Sequence, residues 1–173
     1  MIRSKYIGAA SLLLLVVVFY PVDAFTLRLA RQDLQITQAF RVDAGQEISL
    51  IYRHSVEKTA VEGRFRIGPG PSLLAVETRM TSVGTGLPNT ALERTRREGG
   101  WIVVDEELKN LNGFRFFLSA VNKTRLVTQG TDVDMGMIPS GSVIRFCVER
   151  VCLLKWLAWR ISGTGWRVAS ELV

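Results

Sequence analysis

From Glu47 onward the chain repeats its character at every second residue, and that period restricts the fold more than any other feature. In EISLIYRHSV, Ile48, Leu50 and Tyr52 alternate with Ser49 and Arg53, with Ile51 interrupting the polar side. In VEGRFRI, Val61, Phe65 and Ile67 share one side while Glu62, Arg64 and Arg66 share the other. In LLAVETRM, Leu74, Val76 and Met80 oppose Glu77 and Arg79. A helix would scatter these residues around its axis, whereas a strand collects them on one face. Antiparallel sheets with one packed and one wet face carry this pattern. Turn signals separate the runs at Asp43 to Gly45, Gly68 to Pro71, Gly84 to Pro88, Glu98 to Gly100, Asn110 to Gly113 and Pro139 to Gly141. Short strands so spaced predict an all-β fold, an antiparallel β-sandwich or a partly closed barrel.

Ahead of these runs stands a different kind of segment. Arg3 and Lys5 precede an uncharged apolar run from Tyr6 to Tyr20, followed by Pro21-Val22-Asp23-Ala24. This is the layout of an export signal, with Val22 and Ala24 as the small residues before a cleavage point at Phe25. Residues 1–24 are therefore expected to be a signal peptide, with an uncleaved membrane anchor as the rival, and residues 25–173 a single β domain. The apolar run is short for the roughly twenty residues of a spanning helix. Either way the domain is expected outside the cytoplasm, in the periplasm or on the outer face of the cytoplasmic membrane. A chain of this length buries a core without disulfide staples. Lys and Arg number 22 against 16 Asp and Glu, a net charge of +6. In an exported protein that excess points to an anionic lipid surface or an acidic partner rather than to nucleic acid. The basic group Arg94, Arg96 and Arg97 reads as a solvated turn.

The sole histidine, His54, lies in YRHSVEKTAVEGRF. Alternation from Ile48, Leu50 and Tyr52 carries its imidazole to the inner side or the rim of the core. One reading makes it architectural, fixing the turn through a backbone carbonyl or the carboxylate of Glu57 or Glu62. The other makes it a ligand-binding or proton-handling group, since imidazole titrates near neutral pH. A hydrolase needs a nucleophile and an orienting acid around that ring, and Ser55, the next residue on a strand, projects to the opposite face. No Gly-x-Ser-x-Gly elbow and no second histidine accompany it. A catalytic role for His54 is thus the weaker alternative, and the chain is expected not to be an enzyme. Asp132 and Asp134 in GTDVDMG lack the acidic residue that would close a calcium loop, so neither a metal nor a cofactor is expected.

The Gly-Thr-Gly-Leu-Pro segment is the other candidate. Gly84 and Gly86 permit positive φ and close backbone approach, and Pro88 stiffens the exit. Its exposed amides suit a carboxylate or phosphate, or else the glycines mark a tight corner between sheets. If this loop meets His54, the pair makes a pocket for a small anion or a peptide terminus.

LIYRHSVEKTAVEGRF, TSVGTGLPNT and RLVTQGTDVDMGMIPSGSVIRFCV, taken in series, resemble the bacterial family known as domain of unknown function 1850. The resemblance spans roughly residues 34 to 149. It rests on His54-Ser55-Val56 followed by Glu57, Thr59 and Val61, and on the Gly-x-Gly-Leu-Pro at 84 to 88. The sequence departs from the family pattern at Ala60 and Gly63. The resemblance implies an exported companion of tripartite ATP-independent periplasmic (TRAP) transporters, those with the immunogenic-type (TAXI) solute receptor, with the membrane subunit or the receptor as partner. The residues carried into a ligand-binding hypothesis are His54, Ser55, Glu57, Thr59, Glu62, Gly84, Gly86 and Pro88.

Cys147 and Cys152 flank Glu149-Arg150. A two-residue hairpin there would set the cysteines opposite each other in an oxidising compartment, giving a structural disulfide; packed thiols are the alternative. VCLLKWLAWRISGTGWRV at 151–168 reads either as an interfacial helix placing Trp156 and Trp159 at a membrane surface or as a strand pair turning at Ser162 to Gly165. Burial of these tryptophans in the fold is the preferred reading. Together these readings give a non-catalytic exported accessory protein of a solute-uptake system, with a stand-alone small-anion or peptide binding module as the alternative.

Overall fold

A computed structural model describes residues 8, 12, 14–31, 34–82 and 92–162. The strands are β1 (Pro21–Arg31), β2 (Leu34–Arg41), β3 (Glu47–Arg53), β4 (Ala60–Ile67), β5 (Leu73–Met80), β6 (Thr95–Glu98), β7 (Trp101–Asn110), β8 (Phe114–Phe117), β9 (Arg125–Thr128), β10 (Thr131–Asp134) and β11 (Val143–Cys152). A helix, α1 (Leu153–Ser162), follows β11 without a break. The strands form two antiparallel sheets, ordered β2-β1-β11-β8 and β10-β9-β3-β4-β5-β7-β6. The fold is the β-sandwich that the alternation predicts, and neither sheet closes into a barrel.

The core lies between the sheets. Phe25, Leu27 and Leu29 of β1 and Ile144, Phe146 and Val148 of β11 meet Ile48, Leu50, Ile67, Leu73 and Leu126 of the larger sheet. Burial of an aliphatic or aromatic side chain stabilises by about 1.5–3 kcal/mol, so this layer is the main source of stability. An aromatic column crosses it: Phe65 stacks on Phe114 at 4.9 Å, Phe114 on Phe146 at 4.8 Å, and Phe146 on Phe25 at 6.0 Å. Gly63 makes room for this column, since a Cβ there would sit 3.2 Å from the Phe65 ring. Gly113 is needed for two reasons. Its φ is +98°, and a Cβ would lie 2.6 Å from the Phe146 carbonyl oxygen.

The small sheet is covered on its other face as well. Val22, Ala24, Ala39 and Val151 pack beneath Trp156 of α1. Strands buried on both sides read as nearly continuous apolar runs, which is the texture of PVDAFTLRLA. β1 begins four residues before the expected cleavage point, so the 24/25 bond lies inside a paired strand. Pro21, Val22, Asp23 and Ala24 pair with Cys152, Val151, Arg150 and Glu149.

That pairing corrects the expectation about the cysteines. β11 runs unbroken from Val143 to Cys152, and Glu149-Arg150 makes no turn. Arg150 pairs with Asp23 at 2.8 Å and Glu149 with Arg28 at 2.5 Å, so the charged pair belongs to a ladder. Five positions apart on one strand, Cys147 and Cys152 are about 16 Å apart, beyond disulfide reach. Both are free thiols. Burial pushes the Cys147 thiol above its usual range.

Candidate functional site

The sandwich has two ends, and of the predicted site residues His54, Ser55, Glu57 and Thr59 lie together at one of them. β3 stops at Arg53, and residues 54–59 reverse the chain into β4. The His54 N–H donates to the Thr59 carbonyl at 2.8 Å, and the Lys58 N–H donates to the His54 carbonyl at 3.0 Å. Lys58 takes a φ of +56° to complete the reversal, and the Arg53 Nε donates to its carbonyl at 2.7 Å. His54 Nδ1 accepts the Glu57 backbone N–H at 3.3 Å. This is the architectural arrangement with a different partner: the imidazole holds the amide of Glu57, neither a carbonyl nor a carboxylate. A neutral imidazole has one acceptor nitrogen, and here it is committed to the turn, leaving Nε2 as the N–H donor.

His54 is half-buried, Glu57 and Thr59 are half-buried, and Ser55 is exposed. Glu62 is not part of this turn. It accepts the Ser49 hydroxyl at 2.8 Å and faces Arg79 at 3.7 Å on the outer side of the large sheet. Gly84, Gly86 and Pro88 lie outside the described residues. The chain leading into that loop leaves from this end, where the Thr81 N–H donates to the Ala60 carbonyl at 3.3 Å.

Residues 118–124 close the other side of the rim. The Arg53 N–H donates to the Asn122 carbonyl at 2.6 Å, and the Met135 N–H to the Thr124 carbonyl at 3.0 Å. A cleft of about 420 Å³ opens beside them, lined by Leu118, Lys123, Thr124, Arg125, Asp134 and Ile138 among others. Three polar oxygens in this region are enclosed without a protein partner: Thr59 Oγ1, Asn122 Oδ1 and Thr124 Oγ1. Thr124 is 2% exposed and Asn122 8%. Enclosed polar atoms are normally paired, so these three are open to further polar contacts, as are Arg28 Nε, Gln38 Oε1, Arg79 Nε and Trp156 Nε1 elsewhere in the molecule. Sequence reading named Thr59 but not Asn122 or Thr124, because nothing local in SAVNKTRL announces burial.

Asp132 and Asp134 act locally, as a polar turn would. Asp132 pairs with Arg125, and Asp134 Oδ1 accepts the Gly136 N–H at 2.7 Å. Among the described residues no group of three His, Cys, Asp or Glu side chains is placed to hold a metal.

A charge lattice covers the outer face of the large sheet. Arg64 reaches Glu47 at 2.8 Å and Glu77 at 2.7 Å; Arg66 reaches Glu47 at 2.9 Å and Arg96 reaches Glu77 at 2.7 Å. Hydrogen bonds from Arg66 and Arg64 hold the Glu47 carboxyl below its usual range. Burial alone would raise Glu77, but Arg96 and Arg64 more than offset it and hold that carboxyl low too. The group Arg94, Arg96 and Arg97 is thus more than a solvated turn: Arg96 anchors the edge strand β6 to β5, and Arg94 meets Glu107 at 3.3 Å.

The described residues thus form a two-sheet antiparallel sandwich with a histidine-braced turn at one rim. The model of the family described as domain of unknown function (DUF1850) matches residues 48–135, a little over half of the chain, and the protein belongs to that family. Neither a curated protein nor a solved structure matches it. The matched span contains nearly the whole large sheet, β8 and the rim; β1, β2, β11 and α1 lie outside it.

Proposed function

We propose that the protein is a non-catalytic, exported accessory of a solute-uptake system, working beside a TRAP transporter of the TAXI type. What supports this reading is the association implied by the sequence resemblance to the family, whose match spans the rim. The basic n-region and apolar run at the N-terminus support export. The geometry of the turn supports a role without catalysis. A general base must have a free lone pair to take a proton, and the acceptor nitrogen of His54 is engaged by Glu57. Ser55 is exposed on the turn and makes no hydrogen bond to the ring.

The test is recovery of the tagged full-length protein from detergent-solubilised membranes. The expected result is that the transporter's membrane subunit or its solute receptor comes with it. Recovery of the protein alone, from cells producing all components, would count against the association.

A second reading has its own support in the three enclosed oxygens at the rim. Of these, the Thr124 hydroxyl lines the cleft together with Lys123, and the two suit a small organic anion or a peptide terminus whose carboxylate meets the lysine. A ligand at a hundred times its Kd adds about 2.7 kcal/mol to the folded state. A thermal-shift series with mono- and dicarboxylates and short peptides reads that gain. A flat series would remove the binding module as a reading.

A further inference from the structure

The leader and α1 meet at the end of the sandwich opposite the rim. The Leu153 N–H, at the start of α1, donates to the Tyr20 carbonyl at 2.9 Å. Tyr20 is the last residue of the apolar run and Pro21 the first of β1, so no linker separates the leader from the sheet. Whatever holds the leader therefore holds this end of the domain against it.

Two observations bear on whether the leader is removed. Scission after Ala24 would detach Val22 and Ala24, which are 4% and 0% exposed beneath Trp156. It would also remove Asp23, whose carboxylate accepts both Arg150 Nε at 2.8 Å and Nη2 at 3.0 Å, and whose carbonyl accepts the Val42 N–H at 3.1 Å. The segment that a signal peptidase would discard is part of the packed fold. Among the described residues of the leader, Leu14, Leu15, Val16, Val17, Phe19 and Tyr20 are exposed, each by 48% or more, and Val18 is half-buried.

α1 presents the second half of the surface. At about 100° per residue, Leu154, Leu157 and Ile161 fall on one outward stripe, opposite Trp156. They are 56%, 41% and 74% exposed. Arg160 falls about 90° from its middle on one side and Lys155 about 130° on the other, each stacked by its cation on a tryptophan ring, Arg160 on Trp156 at 5.4 Å and Lys155 on Trp159 at 4.9 Å. The sequence preferred burial of Trp156 and Trp159 over a place at the membrane surface. Trp156 is buried on the sheet, and Trp159 lies between Arg28 at 5.6 Å and Lys155 at 4.9 Å. An apolar stripe flanked by cations is the layout of a helix lying in a bilayer interface, with acyl chains under the stripe and lipid phosphates beside the cations.

We propose that the leader is retained as a membrane anchor and that α1 lies in the interface of the same bilayer, its Leu154, Leu157 and Ile161 stripe in the acyl boundary and Lys155 and Arg160 at anionic headgroups. The short anchor and the absence of a linker both draw the domain onto the surface. An apolar run of about fifteen residues, taken as helix throughout, would give roughly 22 Å against a hydrocarbon core of about 30 Å, a mismatch that local thinning of the bilayer meets. Among the described residues no helix is long and apolar enough to cross a membrane, so the span is read from the sequence. The proposal rests on the export reading, and the tests separate the two.

Intact mass of the full-length gene product recovered from membranes decides retention: the uncleaved mass is expected, and a chain beginning at Phe25 would overturn the anchor. Protease added to spheroplasts decides export independently, since a shielded domain sinks export whatever the mass. For α1, the full-length protein is reconstituted in phosphatidylglycerol vesicles with brominated acyl chains, alongside a Leu154→Ser/Leu157→Ser/Ile161→Ser variant. These side chains are exposed, so the variant should keep the wild-type circular dichroism and melting profile. Tryptophan quenching should fall roughly twofold or more in the variant. Equal quenching in the two folded proteins would overturn the placement of α1.

Discussion

Replacing Glu77 by glutamine keeps the side-chain volume and removes the charge from the most enclosed node of the outer lattice. Glu77 is 8% exposed and accepts Arg64 Nη1 and Arg96 Nη2, each at 2.7 Å. Breaking an ion pair buried on both sides costs about 3–5 kcal/mol. The Arg64 side chain is 32% exposed, so water screens this pair and the expected cost is about 2 kcal/mol. Arg96 is half-exposed, and its share fades with added salt. For a domain of this size about 2 kcal/mol lowers Tm by roughly 4–8 °C. Urea melts of the full-length protein in mild detergent measure the same quantity. Because the folded-state pKa of Glu77 is depressed, its contribution is complete above the unfolded-state carboxylate pKa and is lost as pH falls through the folded value. The gap between wild type and Glu77→Gln should therefore be full at pH 7, shrink below about pH 5, and close once the native carboxyl is protonated. An Arg64→Met partner should couple with it, the double variant costing less than the sum of the singles. A gap that persists unchanged to pH 3, or a glutamine variant as stable as wild type at pH 7, would show that the lattice is ornamental and the reasoning wrong.

Three further outcomes follow from the packing. Gly113→Ala must place a Cβ 2.6 Å from the Phe146 carbonyl at a φ of +98°, and should cost about 3–4 kcal/mol in chemical denaturation; a loss under 1 kcal/mol would mean that the loop before β8 relaxes freely. Phe146→Leu removes two ring contacts from the aromatic column and should lower stability by about 1–2 kcal/mol, with Phe114→Leu in the same background adding less than it does alone. His54→Ala loses the acceptor for the Glu57 amide and should cost about 1 kcal/mol, whereas His54→Asn, which keeps an acceptor at the δ position, should recover most of it; if both cost the same, the ring's packing and not its Nδ1 holds the turn.

The parts of the fold that sequence reading found are those whose signal is local. β3, β4 and β5 each have one wet face, so their alternation survives in the chain as Ile48/Leu50/Tyr52, Val61/Phe65/Ile67 and the charged positions between them. β1 was hidden because both of its faces are covered, one by the core and one by α1, which erases the alternation and makes PVDAFTLRLA look like the end of a signal. Glu149-Arg150 resembled a turn for a related reason: two adjacent charges inside a central strand make sense only once Arg28 and Asp23 are known to face them across the ladder. The charged residues of the lattice were visible as a polar face, but their pairing depends on register between strands, which no single strand encodes. At the candidate site, His54 was legible from the strand period and Thr59 only through the family motif. Asn122 and Thr124 were not, since their burial is imposed by β3 and by residues 135–138 packing from elsewhere in the chain.

The polarity of the sandwich links the two proposals. The rim is formed where β3 ends, β4 begins and β11 starts, whereas the leader and α1 adjoin the opposite end of β11, at Cys152. β11 has ten residues, so the two ends are separated by about 30 Å along the strand. With the leader and α1 in the bilayer, the His54 turn and the cleft beside Lys123 face away from the membrane, beyond the reach of a transmembrane helix flush with the surface. A partner that reads the rim must itself project that far or diffuse to it. Under the proposed association with a transporter, a solute receptor would fit this position better than a membrane subunit, which would instead meet α1 and the base of β1. Substitutions at the rim, such as Lys123→Glu, should then weaken capture of the receptor while leaving capture of the membrane subunit intact, and loss of both together would show that a single surface serves both.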